Sequence, residues 1–356
     1  MQAQITKKID FSGQNLYIGL DVHKKSWHVT VLSEQICLQN ISQPPSVEAL
    51  YIYLTSRYPG AKYYSAYEAG FCGFNHHRNL IKHGISNIVI NPADIPRSNK
   101  DSHYKTDKND SRRIAESLRG GFLKGIHVFN PKQEEFRSLF RSRLALAKDI
   151  RTTKGRIKSF FAYRTIEVPE AFIKNPKSKQ YITWLEQLKF SDSNATYHLR
   201  QLISRLKFLH EQRRLLEQEL RNNARQIDRE LYNLLLSVPG IGQITAIGIM
   251  AEIGDINRFV HFKNFASYVG LIPRIKQSGE TERIGSITYR HNNYLRPLIV
   301  EASWQAIRAD VAMLAYFQEA CKKSNSKKAL IKVARKLLSK IYFVMRNRKK
   351  YERGIA

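Results

Sequence analysis

Two aspartates lie three residues apart in the segment HYKTDKNDSRRIA, within a strongly basic chain of 356 residues. The segment is predicted to form a helix, and this spacing places Asp107 and Asp110 on one face of it. Two further acids close apolar, β-prone runs: Asp21 ends YIGLD, and Glu68 ends YYSAYE. Packing poorly explains a carboxylate at such a position, so four carboxylates from three elements are candidates to converge.

Convergence of these acids would require a cation, because carboxylates that lie close together repel one another. Mg²⁺ takes oxygen ligands from carboxylates and phosphates, and two such ions about 3.5–4 Å apart can clamp a phosphodiester for attack. Each acid taken singly also has a structural role as an alternative to metal binding. Asp107 would then cap the helix, and Asp110 would pair with Arg113 or Lys105.

The overall charge indicates a polyanionic partner. The chain has 59 Lys and Arg against 30 Asp and Glu, a net charge of +29, and such a field attracts nucleic acid. A membrane partner is not expected, because the longest apolar runs are too short to span a bilayer. The first residues lack the apolar core of a signal peptide, which predicts a cytoplasmic protein. The three cysteines are scattered, which argues against a zinc site or a disulfide framework.

The first 130 residues show strands followed by β/α alternation, which predicts an α/β domain. Two runs separated by the polar HKK favour a β-hairpin. The predicted strands lie at 16–22, 27–32, from about 35, 63–70, 87–90 and around 125–130, with a helix at 75–84.

From residue 131 onward the pattern becomes helical. Nine Lys or Arg accompany one acid between Arg137 and Arg164, on a segment with helical apolar spacing. A heptad-like repeat follows, which predicts either a dimerising coiled coil or a long helix packed on its own domain. The repeat comprises Leu199, Leu202, Leu206, Leu209, Arg213, Leu216 and Leu220.

Two C-terminal features favour phosphate contacts. The turn Pro239-Gly240-Ile241-Gly242 between two helices is typical of a helix-hairpin-helix, in which backbone N–H groups approach a phosphate. A purely structural turn between packed helices is the alternative. The segment 322–353 carries thirteen Lys or Arg and one Glu, with one apolar face and one face available to phosphate.

The ordered motifs YIGLDVHKKSW, YEAGFCG, NPADIP, KTDKNDSRRIA, LLSVPGIGQITAIGIMAEIGDI and YLRPLIVEASW resemble the DEDD insertion-sequence transposases, the group that includes the Piv and MooV DNA invertases. The resemblance covers nearly the whole chain. It implies a RuvC-like, RNase H-like α/β domain over 1–130 and a helical coiled-coil region for oligomerisation over 131–230. It also implies a mainly α C-terminal transposase domain over 231–356.

The resemblance also implies a set of site residues. Asp21, Glu68, Asp107 and Asp110 would form the acidic tetrad that binds Mg²⁺, with Mn²⁺ as a substitute. Ser278 would be the nucleophile that forms a covalent phosphoserine link to DNA, and Ser286 is the alternative serine. The predicted nucleic-acid contacts are Lys105, Lys108, Arg112, Arg113, Gly240, Gly242, Arg274, Lys276, Arg290 and Arg296.

The implied partners are donor and target DNA, a noncoding bridge RNA that pairs with both, and further copies of the chain in a dimer or tetramer. The predicted function is therefore a DNA transposase or recombinase. A site-specific invertase and a RuvC-like junction nuclease are the alternative enzymes. A non-catalytic DNA- or RNA-binding protein is the alternative of another class, and the complete acidic tetrad argues against it.

Overall fold

The structure is a computed structural model that describes residues 10–96, 106–174, 179–278 and 281–352. The chain forms two compact units, Met1–Phe129 and Asn130–Ala356. The second unit contains both the predicted helical region and the predicted C-terminal domain. Their division near residue 230 stays a prediction.

The first unit is built on a five-stranded mixed sheet. Its strands are β1 (Asn15–Val22), β2 (Trp27–Leu32), β3 (Cys37–Gln43), β4 (Lys62–Glu68) and β5 (Ser86–Ile90). The spatial order is β3-β2-β1-β4-β5, with β1 antiparallel to β2 and parallel to β4. The predicted hairpin is thus confirmed, and the mixed sheet agrees with an RNase H-like domain. The strand predicted around 125–130 is wrong, because in this described segment Gly125 makes a single bridge to Ile90.

Helices cover both faces of this sheet. They are α1 (Val47–Arg57), α2 (Asn75–Lys82) and α3 (Asp107–Arg119), with a 3₁₀ turn at Pro92–Asp94. Alternation along the strands sends Tyr67 into the core with α1 and α2, and its neighbour Ala66 into a smaller core with Ile114 of α3. Helix α3 begins where Thr106 accepts a hydrogen bond from the Asn109 amide at 3.3 Å.

Helix α3 lies directly on β1 because Gly19 has no side chain. A Cβ atom at Gly19 would lie 2.0 Å from the Ser111 carbonyl oxygen and 2.5 Å from the Ala115 amide nitrogen. Next to this contact, the buried hydroxyls of Thr30 and Ser111 are hydrogen bonded at 2.9 Å. Asn40 donates to the Thr30 hydroxyl at 2.6 Å and to the Lys108 carbonyl at 3.2 Å. Strands and helix are therefore joined at the first turns of α3.

The second unit is helical apart from one described hairpin. Its elements are α4 (Pro131–Tyr163), α5 (Glu170–Lys174), α6 (Lys179–Gln187), α7 (Ser193–Leu236), α8 (Gln243–Ile253), a 3₁₀ turn (Ile256–Arg258), α9 (Phe262–Val269), β6 (Pro273–Ser278), β7 (Thr281–Ile287), α10 (Leu295–Ala309), α11 (Val311–Lys322) and α12 (Ser326–Asn347). Among the described helices, none combines the length and apolar character that a bilayer span requires.

The leucine repeat of α7 packs within the chain. Leu199, Leu206 and Leu209 are buried in a core shared with Ile157 and Phe161 of α4. This packing is that of a long helix on its own domain. A coiled coil between chains stays a prediction.

A second core in this unit surrounds a buried carboxylate. Glu252 of α8 is fully buried and accepts hydrogen bonds from Arg141 at 2.6 and 2.9 Å and from Arg137 at 2.9 Å. Asn292 donates to the same carboxylate at 3.1 Å, and Tyr268 donates to the Glu252 carbonyl at 3.0 Å. Burial by itself raises the pKa of Glu252, but the bonds from Arg141 and Asn292 and the charge of Arg137 outweigh it, so the pKa is lowered. The carboxylate of Glu252 on α8 thus connects α4 and the segment before α10.

Replacement of Gly19 should weaken the packing of α3 against β1. We expect Gly19→Ala to destabilise the first unit by about 1–3 kcal/mol, because the new methyl group meets backbone atoms that cannot rotate away. Amide hydrogen exchange measured by mass spectrometry should show faster exchange in peptides from α3 and β1. Gly70→Ala is the control, since the nearest atom to its added Cβ is 3.9 Å away. Unchanged protection of α3 in Gly19→Ala would contradict this account.

Replacement of Glu252 should destabilise the second unit in a pH-dependent way. Glu252→Gln leaves two arginines without their carboxylate, and we expect a loss of about 3–5 kcal/mol near neutral pH. A lowered folded-state pKa stabilises the fold above the unfolded value of about 4.3, and this contribution is lost as pH falls through the folded value. Urea unfolding as a function of pH should therefore show the difference between wild type and variant shrinking in acid.

The control for this experiment is an exposed pair of the same kind. Glu211 accepts from Arg214 at 2.7 and 2.9 Å on the surface of α7. Glu211→Gln should change the free energy of unfolding far less than Glu252→Gln does, because water screens an exposed pair. An equal loss in the two variants would show that burial of Glu252 is unimportant.

Candidate functional site

Asp21 lies near the C-terminal end of β1, the central strand of the first unit's sheet. Its side chain is 20% exposed, and its register partner on β2 is His28. Burial raises the pKa of Asp21, His23 opposes the increase, and the carboxylates of Asp107 and Asp110 add to it. The net rise in pKa therefore comes mainly from burial, with a smaller part from the two carboxylates.

Asp107 faces this position from the first turn of α3. Its Oδ2 atom lies 3.6 Å from His23 Nε2 and 3.7 Å from His28 Nε2. The same His23 nitrogen lies 3.2 Å from Asp21 Oδ2. Since Thr106 is the residue that caps α3, the capping role considered for Asp107 is not needed. In the described part of the chain, Asp21, His23 and Asp107 form a group whose ligand atoms all lie within 4.8 Å of one another.

Asp110 follows one turn later on α3 and is bonded to Arg113. The two side chains are 13% and 16% exposed, so the ion pair considered from the sequence is present and mostly shielded from water. The Nε atom of Arg113 is buried and has no hydrogen-bond partner among the described residues. Asp110 is close enough to influence the pKa of Asp21, but it lies outside the group of three.

Glu68 ends β4, the strand next to β1. It follows Tyr67, the register partner of Leu20, just as Asp21 follows Leu20. The two parallel strands therefore end side by side with an acid each. In the described residues, the tight ligand group contains two of the four predicted acids, Asp21 and Asp107.

The two histidines were not predicted as site residues. His23 was assigned to a polar turn, and His28 to the strand that follows it. The register of the hairpin could have indicated His28, because the short turn after Asp21 reverses the chain and places residue 28 opposite residue 21.

The predicted nucleophile lies on the hairpin of the second unit. Ser278 is the last residue of β6 and pairs with Thr281 of β7, and Lys276 pairs with Arg283. The alternative serine, Ser286, accepts a hydrogen bond from Arg274 at 2.5 Å. Its hydroxyl is therefore already engaged by a cation.

The base of this hairpin is held by arginines that bind backbone carbonyls. Arg296 donates to the carbonyls of Thr288 at 2.7 Å and Gly270 at 3.3 Å, and Arg335 donates to that of Leu271 at 2.7 Å. Arg274 stacks on the ring of Tyr289, with 4.3 Å between the guanidinium carbon and the ring centroid. Arg296, which was predicted as a nucleic-acid contact, thus also anchors the backbone around the hairpin.

The other predicted nucleic-acid contacts have different surroundings. Lys108 is exposed, Arg112 pairs with Glu116 at 2.8 Å on the surface, and Arg290 is exposed beside the hairpin. Lys105 lies outside the described residues.

The two glycines of the predicted helix-hairpin-helix turn differ from each other. Gly240 has a φ of +81°, and an added Cβ would lie 2.4 Å from the Ala302 carbonyl oxygen of α10. The close backbone approach at Gly240 is therefore made to a helix of the same chain. Gly242 is the N-cap of α8, and an added Cβ there would meet open space.

Two family models match the chain. One, described as a transposase and named for the DEDD motif and IS110, matches residues 18–162. The other, described as the transposase IS116/IS110/IS902 family, matches residues 232–318. The first match contains the acidic site, and the second contains the hairpin of the second unit.

Individual relatives agree with these models. The transposase for insertion sequence element IS1533 of Leptospira borgpetersenii is 24% identical over 82% of this chain and 85% of its own length. The IS1111A transposase of Coxiella burnetii is 25% identical over 66% of this chain and 64% of its own length. The pilin gene-inverting protein of Moraxella bovis is 31% identical over 35% of this chain and 39% of its own length.

The share of each relative that is matched varies. For the y4qE protein of Sinorhizobium fredii, 27% identical over 68% of this chain, the match spans 58% of the relative. The RNase H-like sheet, the carboxylates at its edge and the two family matches agree with one another. The chain therefore belongs to the IS110-type DEDD transposases, a family of DNA-acting enzymes.

Proposed function

We propose that this protein is a DNA transposase or recombinase that cuts and rejoins strands at the acidic site of its first unit. The observation that carries the proposal is the approach of Asp107 on α3 to Asp21 on β1, inside the segment that matches the DEDD family. Carboxylates so placed in a chain of net charge +29 need a cation to offset their repulsion.

The donor set fits a divalent metal ion. Asp21 and Asp107 offer oxygen atoms to it, with Glu68 and Asp110 completing the proposed tetrad, and Mg²⁺ is the ion proposed, with Mn²⁺ as a substitute. When bound, such an ion polarises a phosphodiester and favours ionisation of an attacking hydroxyl. The basic surfaces of the chain hold the DNA backbone while these acids hold the ion.

Ser278 is the proposed nucleophile. Its hydroxyl oxygen would form a bond to phosphorus as the bond from phosphorus to a deoxyribose oxygen breaks, and the hydroxyl proton would pass to a base. The phosphoserine link keeps the energy of the broken bond, so strands can be rejoined without ATP. The resemblance to the DEDD transposases favours Ser278 over Ser286. The tetrad and the serine can belong to different subunits of an oligomer.

The proposed partners are donor DNA, target DNA and a bridge RNA that pairs with both, in the bacterial cytoplasm at the nucleoid. Separate basic surfaces support more than one nucleic-acid contact. One is the exposed face of α12 within the Lys-rich C-terminal segment, and another lies along α4, where basic residues dominate. Pairing by the RNA would supply sequence choice.

A site-specific DNA invertase is the second candidate. The 31% identity to the pilin gene-inverting protein favours it, and the same residues would carry its chemistry. Inversion acts on sites within one locus, whereas a transposase gene is bounded by the ends of its own element.

Loss of one site carboxylate should abolish catalysis and spare binding. We expect Asp107→Asn to lower metal-dependent strand cleavage by more than about a hundredfold, since changes in residues that merely orient ligands already cost 10–100-fold. Cleavage of a labelled duplex and a parallel DNA-binding measurement test this. Asp10→Asn is the control, because Asp10 is exposed and bonds to Ser12. Full cleavage by Asp107→Asn would remove the carboxylate from the mechanism.

Loss of the nucleophile should prevent the covalent intermediate. With a nicked DNA substrate, wild type should form an adduct that survives denaturing electrophoresis, and Ser278→Ala should form none. Ser286→Ala should still form it. An adduct trapped by Ser278→Ala, or lost in Ser286→Ala alone, would reject Ser278 as the nucleophile.

A further inference from the structure

We infer that His23 is itself a metal ligand, so that the ion in the acidic site is bound by a mixed set of imidazole nitrogen and carboxylate oxygens. This inference rests on the proposed function in one respect, the presence of a divalent ion at the site. It differs from the four-carboxylate tetrad in the chemistry of the donors.

The geometry around His23 supports a shared ion. Its Nε2 atom lies 3.2 Å from Asp21 Oδ2 and 3.6 Å from Asp107 Oδ2. Adjacent ligands of a six-coordinate ion with bonds of about 2.1 Å lie about 3 Å apart, so these separations are close to those of ligands on one ion. The three side chains come from the end of β1, the turn after it and the start of α3, which gives the ion three points of attachment.

Asp110 lies outside the described group of three ligand residues. Its charge is already offset by Arg113, and both side chains are mostly buried. The bond from Arg113 engages Asp110 Oδ1 and leaves the Oδ2 atom for an ion, so Asp110 can complete the tetrad while His23 adds a nitrogen ligand. His23 is 48% exposed, and an ion bound between its Nε2 atom and Asp21 Oδ2 would replace the hydrogen bond of 3.2 Å that joins them.

His28 has a different role from His23. Its Nε2 atom lies 3.7 Å from Asp107 Oδ2, but it is not a member of the described group in which all ligand atoms lie within 4.8 Å. It therefore lies beside Asp107 outside the ligand set, at a separation longer than a hydrogen bond.

A nitrogen ligand changes the preference among metals. Imidazole favours first-row transition ions, whereas all-oxygen sites suit Mg²⁺ and Ca²⁺. Wild type should therefore bind Mn²⁺ more tightly than Mg²⁺. His23→Gln should weaken Mn²⁺ binding by about tenfold or more and leave Mg²⁺ binding less affected.

The direct test uses Mn²⁺ bound to the full-length protein without DNA. Pulsed electron paramagnetic resonance detects a nitrogen nucleus bonded to Mn²⁺ through modulation of the spin echo. Wild type should show ¹⁴N modulation, and labelling of histidine with ¹⁵N should change its frequency. This measurement on wild type needs no variant, so a folding defect cannot obscure it.

Two variants assign the signal. His23→Gln should lose the nitrogen modulation, and His83→Gln should keep it, because the His83 ring bonds to the Asn79 carbonyl at 2.9 Å on another part of the unit. A wild-type signal without nitrogen modulation, or modulation that persists in His23→Gln, would overturn the inference.

Strand cleavage by Asp107→Asn, measured beside these spectra, separates the two proposals. Absent nitrogen modulation together with lost cleavage in Asp107→Asn would reject the histidine ligand alone. Nitrogen modulation in wild type together with full cleavage in Asp107→Asn would support the ligand and reject the proposed function of the site.

Discussion

The contact between Gly19 and α3 is the constraint on which the candidate site depends. Asp21 belongs to β1 and Asp107 to a helix that comes after the rest of the sheet in the sequence. They meet because the backbone of α3 lies against β1 at a distance that no side chain at position 19 permits. The hydrogen bond between Thr30 and Ser111 joins residues 81 positions apart and holds the helix in the same register. A small displacement of α3 would move Asp107 away from both Asp21 and His23.

This placement concentrates negative charge in a chain that is otherwise basic. Burial raises the pKa of Asp21, and the neighbouring carboxylates add a smaller increase. The protein relieves part of the repulsion itself, through the bond between Arg113 and Asp110. Asp21 and Asp107, with His23 beside them, form the described group whose ligand atoms all lie within 4.8 Å of one another.

The second unit uses arginines in two ways. Arg137 and Arg141 are held by the buried Glu252, and Arg296 binds backbone carbonyls at the base of the hairpin. These cations hold the helices and the hairpin that contains Ser278. A count of basic residues therefore overstates the number of side chains that can contact phosphate, since several are bound within the fold.

Local patterns in the sequence were sufficient to predict most strands and helices of the first unit, and two of the four acids they indicated lie in the described ligand group. Alternation of apolar residues predicted the β1–β2 hairpin, and the spacing of Asp107 and Asp110 predicted one face of a helix that the structure confirms. Such signals depend on neighbours within a few residues, so they survive without knowledge of the fold. The short bridge at Gly125 shows their limit, because an apolar run there predicted a strand that does not form.

Tertiary structure decided which side chains meet. The position of His28 opposite Asp21 depends on strand register. His23 lies between the carboxylates of Asp21 and Asp107 only because α3 packs against β1. The pairing of Asp110 with Arg113 and the packing of Gly240 against α10 were left open as alternatives by the sequence. Each depends on distances between residues that are far apart in the chain or on competition among several partners, and sequence spacing carries little information about either. The sequence by itself determined which chemical groups are available, whereas the fold determined that Asp21, His23 and Asp107 share one site.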